Sequence, residues 1–208
     1  MQETRARNLN ITFVCSGIFL FCAVFIPMIK MLPYLSGATT INVEGVDVHV
    51  KIAFYFDKWL IRASVPFLGS TSESQGYDSI TESEVLWAWE MLDYWGFVMF
   101  FLAIIGTLLI ILRSYRVSQE LFASSWLNFG GFFIAIIGVG VEWYLFYVLQ
   151  TQEEWTGIDP TLGYIDLTPS LNYLLLLIHI VAIIILSLGA FPEVFFGTKK
   201  ATTSQQFL

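Results

Sequence analysis

Cysteine is nearly absent from this chain, with 2 in 208 residues, and both Cys15 and Cys22 lie in one long apolar run. No polar stretch contains one, which excludes a disulfide framework and a cysteine-based metal site. Histidine is equally scarce at 2 residues, and His49 and His179 are too far apart in sequence to make a zinc or copper signature. Charge is the third shortage. Lys, Arg, Asp and Glu supply 13% of the chain, against about 25% in an ordinary soluble domain, so a soluble globular fold is excluded. Acidic residues outnumber basic ones 17 to 10, for a net charge of −7. That balance argues against nucleic acid as a partner, and no polybasic run of the kind that binds lipid headgroups occurs. Nucleotide-binding loops, hydrolase elbows and haem or iron–sulfur spacings are also missing. Neither an enzyme activity nor a cofactor is predicted.

What the chain does have is apolar length. Apolar residues make up 56% of it and aromatic ones 17%. Four runs, residues 11–29, 94–112, 121–141 and 167–192, contain no Asp, Glu, Lys or Arg. Roughly 20 such residues cross the ~30 Å hydrocarbon layer as a helix, and a helix satisfies its own backbone there. None of the runs alternates as the strands of a membrane barrel would. The expected class is an integral membrane protein, an all-α four-helix transmembrane bundle with a small β-rich extracellular loop.

The short flanks set the expected orientation. Arg5 and Arg7 precede the first span, Arg113 and Arg116 follow the second, and Lys199 and Lys200 follow the fourth. Between the third and fourth, Glu153, Glu154, Asp159 and Asp166 stand without a basic residue. Basic flanks stay cytoplasmic, so both termini are placed inside, in a multi-pass protein of the plasma membrane. The expected division is a cytoplasmic N-terminus at 1–10 and a first span at 11–32, kinked by Pro27 and too long for a signal-peptide core. An outer β-rich segment at 33–93 includes a helix leading into the second span at 94–113. A cytoplasmic connector at 114–122 precedes the third span at 123–149. An acidic outer loop at 150–168, a fourth span at 169–192 and a cytoplasmic tail at 193–208 complete the chain.

Within the long outer segment, Val46, Val48 and Val50 alternate with Asp47, His49 and Lys51, the period of a half-buried strand. Glu44-Gly45 interrupts the pattern as a hairpin turn would, and a second strand is expected over residues 52–61. Residues 69–76, rich in Ser and Gly, read as a flexible polar tip. Acidic Glu82 and Glu84 suit a helix start from Ser79 onward. An exposed strand can pair with another chain through its free backbone groups, and Phe54, Phe56 and Trp59 are the candidate apolar anchors for a partner.

Inside the spans, Glu142 and His179 are predicted at matched depth, each about two turns from its outer helix end. Intramembrane ionisable groups are costly and face the bundle interior. Such a pair can hold an ion, move a proton or tie two helices together. Gly131, Ala135 and Gly138 form a small-residue stripe that permits close helix packing.

Certain stretches carry a family resemblance. Trp59 precedes Gly76-Tyr77-Asp78-Ser79-Ile80 at nearly the spacing between the loop tryptophan and the Tyr-Asp-Ser-Leu run of claudins. The segment from Gly131 to Gly138, followed by Trp143-Tyr144, is similar to their small-residue third helix. With four spans and a long first loop, the chain resembles the claudin and peripheral-myelin-protein tetraspan superfamily. It departs from that pattern at Asp57-Lys58-Trp59, where the family has Gly-Leu-Trp. Both loop cysteines are missing, Arg62 stands near the first of them, and an acidic neighbourhood replaces the basic residue before the second span. The resemblance implies a four-helix bundle under a small outer sheet, used for association. The expected function is therefore a non-catalytic scaffold, adhesion protein or accessory subunit whose partners are the bilayer and other membrane subunits or a second copy. The alternative is a subunit of a membrane enzyme or transporter that uses Glu142 and His179 as an ion or proton route.

Overall fold

The computed structural model describes residues 2–43, 45–79, 86–151 and 169–196. Among them, four helices are long and apolar enough to cross a membrane, and a small antiparallel sheet caps one end of the bundle they form. The acidic loop at 152–168, the helix start at 80–85 and the tail from 197 onward lie outside the described residues.

The first span begins as α1 (Gln2–Leu20), passes through a π-helical turn at Phe21–Phe25 and ends as α2 (Ile26–Met28). Pro27 lacks an N–H, and its ring crowds the carbonyl four residues back. The wider π turn directly before it is the local adjustment that absorbs such a break. The second helix, α3 (Leu86–Ser118), has 33 residues. At 1.5 Å per residue it runs about 50 Å, well beyond the ~30 Å apolar layer. The first helix begins at Gln2, ahead of the expected 11–32, and stops at Met28, short of its far end, while α3 runs past 94–113 at both ends because intrahelical bonding continues through its polar ends. Next come α4 (Trp126–Gln150) and α5 (Tyr173–Ala190), followed by a short α6 (Pro192–Phe196).

The sheet consists of β1 (Leu35–Val43), β2 (Val46–Phe54), β3 (Trp59–Val65), β4 (Gly69–Gln75) and β5 (Ser170–Leu171). Its strand order is β4-β3-β2-β1-β5. Gly45 takes φ +88° between β1 and β2, a conformation that glycine adopts without a Cβ penalty. In this register Leu35, Phe54 and Trp59 share one row, Ile52 and Ile61 the next, and Val50 a third, all on one face. These six are buried. The opposite face carries Thr40, His49, Lys51 and Arg62.

Residues 69–76 are not a flexible tip. Gly69–Gln75 is a regular edge strand paired with β3 along its full length. It lacks the expected alternation because both of its faces meet water, so no position selects an apolar side chain, and Glu73 helps to protect the open edge.

Aromatic packing fixes the sheet to the bundle. Trp89 of α3 lies 5.5 Å from the Phe54 ring and 5.3 Å from Tyr77. Phe56 meets Phe97 and Phe100 at 5.0 and 4.6 Å. A Cβ at Gly96 would collide with the Phe56 carbonyl, so glycine lets α3 approach the connection between β2 and β3. At the end of the first span Lys30 pairs with Asp57 at 2.7 Å.

Close backbone contact joins α3 and α4. A Cβ on Gly131 would lie 2.6 Å from the Gly106 carbonyl oxygen, and one on Gly138 would lie 2.5 Å from that of Met99. Ala135 is fully buried between them. Small residues at such a contact let two helix backbones approach closely and pack along their length. Towards the far end, the Thr12 hydroxyl donates to the Gly189 carbonyl at 2.8 Å and lies 3.0 Å from the Ser114 hydroxyl. Asn128 donates to the Ala190 carbonyl there.

Candidate functional site

The helix period places Glu142 one turn after Gly138, on the α4 stripe that meets α3, and the side chain is accordingly 1% exposed. His179 of α5 is buried to the same degree. The two do not bond to each other. The indole Nε1–H of Trp143 donates instead to His179 Nδ1 at 2.7 Å. An imidazole nitrogen that accepts carries no proton, so the ring's hydrogen sits on Nε2. That nitrogen faces the carbonyl of Cys22, inside the π turn of the first span, without reaching bond geometry.

Tyr34 occupies the space between these groups. Its ring stacks on Phe146 at 4.5 Å, lies 5.1 Å from Trp143 and 6.0 Å from His179. Its hydroxyl stands beside the Glu142 carboxyl. Burial first, and that carboxyl second, push the Tyr34 hydroxyl well above the usual tyrosine range. Its backbone ties the connector to two other elements: the N–H donates to the Phe54 carbonyl, and the C=O accepts from Asn172 N–H, both at 2.8 Å. Asn172 also caps α5 through Leu175 N–H and donates from its side chain to the Pro33 carbonyl at 3.0 Å. A single residue thus links the sheet, the start of α5 and the polar interior of the bundle.

Three buried polar atoms on these side chains have no hydrogen-bond partner: the Tyr34 hydroxyl oxygen and Glu142 Oε1, whose groups stand side by side, and His179 Nε2, which is turned towards the first span. Buried polar groups are normally satisfied, and an exception calls for an explanation such as an ordered water or an ion. The arrangement has a carboxylate acceptor, a hydroxyl of either sense and one ring N–H donor. It suits a water-bridged network or a proton-carrying one. Among the described residues no group of three or more His, Cys, Asp or Glu could hold a metal ion.

Phe54, Phe56 and Trp59, expected as partner anchors, have at most 2% exposure. They form the seam between sheet and bundle, and a side chain with no exposed area cannot anchor another molecule. The alternation that marked the strand was real, but its apolar side faces inward. The most exposed apolar residues of the sheet region are Phe67 and Leu68 in the turn between β3 and β4, with Val46 at the start of β2 about half exposed. Phe67 has φ +69°, rare for a bulky side chain. Tyr34, Asn172, Phe67 and Leu68 escaped the sequence reading. They stand in connections, where neither a helical nor a strand period operates, and the Pro33-Tyr34 step was the one local signal. Gly131, Ala135 and Gly138 lie at the contact of α3 with α4.

Compared with protein-family models, curated proteins and solved structures, the chain matches none of them.

Proposed function

We propose that this chain is a non-catalytic four-span protein of the plasma membrane that acts as a scaffold, adhesion protein or accessory subunit through its sheet. The carrying observation is the mounting of that sheet. Leu35, Phe54, Phe56, Trp59, Tyr77 and Trp89 are all nearly inaccessible, so the sheet is held rigidly while the β4 edge and the Phe67–Leu68 turn stay exposed. A rigid platform that presents an open edge and an apolar tip suits association, since little ordering entropy is lost on binding. A bundle under a small sheet is also what the claudin resemblance implies. The sheet is outside in this reading and both termini are cytoplasmic. Supporting that orientation, Arg5 pairs with Glu120 and Arg7 donates to the Phe196 carbonyl, which gathers the basic helix ends opposite the sheet.

Two measurements test it together. Single cysteines at Ser72 and Ser118 should react and fail to react, respectively, with an impermeant thiol reagent in intact cells. Replacing Phe67 and Leu68 with Ser should reduce cross-linking to partners or to a second copy while the chain still inserts. Labelling of Ser118→Cys, or unchanged cross-linking in the double variant, defeats the proposal.

The ion- or proton-route reading keeps one specific support, the unpartnered Glu142 Oε1 beside the unpartnered Tyr34 hydroxyl. Its test is a Glu142→Gln variant that inserts and associates normally but abolishes a proton- or ion-dependent activity of the purified assembly.

A further inference from the structure

A groove of about 460 Å³ runs along the bundle surface between Phe13 of α1 and the α3 residues Ile105, Leu108, Leu109, Leu112 and Tyr115. Its lining is almost wholly apolar, yet Phe13, Ile105, Leu108, Leu112 and Tyr115 are all about half exposed. From Ile105 to Tyr115 it covers about 15 Å of helix, half of the ~30 Å hydrocarbon layer. That is the depth of one leaflet, the reach of one acyl chain. The groove ends where α3 turns polar. Arg116 follows Leu112 by one turn on the same stripe, is exposed, and has no side-chain partner among the described residues. The nearby acid, Glu120, is already engaged by Arg5 at 2.5 Å. An apolar channel one leaflet deep thus opens beside an uncompensated guanidinium and a tyrosine hydroxyl.

We propose that this groove is a site for a glycerophospholipid with an anionic headgroup. One acyl chain lies along Phe13, Ile105, Leu108 and Leu112, and the phosphate meets Arg116. Guanidinium groups match phosphate oxygens in geometry as well as charge, and basic pockets between membrane helices take anionic headgroups in this way. No basic run announces the site in the sequence, because the recognition rests on one free arginine placed at the end of a shaped groove. The proposal depends on the four-span reading, and the experiment separates the two.

Flotation of the full chain with phosphatidylcholine vesicles comes first; a chain that does not enter them overturns both readings. The inserted protein is then moved into nanodiscs of phosphatidylcholine with a minority of phosphatidylglycerol, released in the mass spectrometer, and its retained lipid identified. The expected result is retention of phosphatidylglycerol above its share. Arg116→Gln should lower that preference about fivefold, and Leu108→Phe with Leu112→Phe should remove the retained lipid altogether. Arg62→Gln, at the sheet end, should behave as the parent chain. Equal retention of both lipids means annular lipid only and overturns the site. So does a preference that survives Arg116→Gln or falls equally in Arg62→Gln. A dimer without retained lipid gives the groove to a second copy and overturns it as well.

Discussion

The Trp143 indole N–H and His179 Nδ1 meet at 2.7 Å inside the bundle, and this contact joins α4 to α5 where the sequence pointed to Glu142. The hydrogen bond fixes the imidazole as a neutral acceptor, and Trp143→Phe should release it at little cost in shape. Loss of a helix-to-helix hydrogen bond in a membrane protein costs about 0.6–2 kcal/mol. Combining Trp143→Phe with His179→Ala should reveal coupling rather than additivity in thermal unfolding. Strictly additive losses would mean that the bond contributes nothing in the folded chain.

The contact of α3 with α4 should discriminate sharply among glycines on the same helix. Gly131→Ala forces a Cβ against the Gly106 carbonyl, whereas Gly130→Ala and Gly140→Ala meet open space. Overpacking of this kind costs about 1–3 kcal/mol. The first variant should therefore lose several degrees of Tm in detergent while the other two keep or slightly raise it. Equal Tm values for Gly130→Ala and Gly131→Ala would contradict the packing.

Much of this architecture was legible in the chain, and for a physical reason. Charge-free runs mark the helices long and apolar enough to cross a membrane, and the valine alternation in β2 reports a half-buried strand. The small-residue stripe at Gly131, Ala135 and Gly138 likewise marks the close contact itself. The candidate site was only half legible. Glu142 and His179 stand out as ionisable groups in apolar runs, but their real neighbours, Tyr34 and Trp143, are aromatic residues in a chain rich in them. Burial direction misled the reading of Phe54, Phe56 and Trp59, since a β pattern identifies an apolar face without saying what covers it. The turn at Phe67 and Leu68 follows no period at all.

Alkaline titration should expose the buried tyrosines. Burial and the Glu142 carboxyl raise Tyr34, while burial followed by Asp57 and Glu142 raises Tyr77, whose hydroxyl also donates to the Tyr55 carbonyl. A group raised in the folded state stabilises fully below its unfolded value, about 10 for tyrosine. Above that pH the unfolded chain releases a proton that the folded one retains, so stability falls as pH rises. Tyr34→Phe should flatten this alkaline fall in denaturation measured from pH 9 to 12. An unchanged slope in that variant would place the hydroxyl outside the polar cluster.

The turn between β3 and β4 allows association to be separated from folding with one substitution. Phe67 is fully exposed and holds φ +69°, a conformation that costs a non-glycine residue about 1–2 kcal/mol. Gly69, at φ +104°, already occupies the other left-handed position that the turn requires. Phe67→Gly removes the local strain. It also loosens the unfolded chain, a loss of about 0.4–1 kcal/mol for an added glycine. These effects oppose each other, and the exposed ring contributes no core contact, so Tm should stay level or rise slightly. Association should respond differently. An aromatic anchor at the centre of an interface commonly accounts for about 2 kcal/mol or more, which corresponds to about thirtyfold or more in affinity. Quantitative cross-linking or analytical ultracentrifugation of the Phe67→Gly chain, run beside its thermal melt, reads both quantities on one sample. Weakened association with an intact melt assigns the strained turn to partner contact. A clear fall in Tm with association unchanged would make Phe67 a structural element of the hairpin and take the apolar tip out of the function.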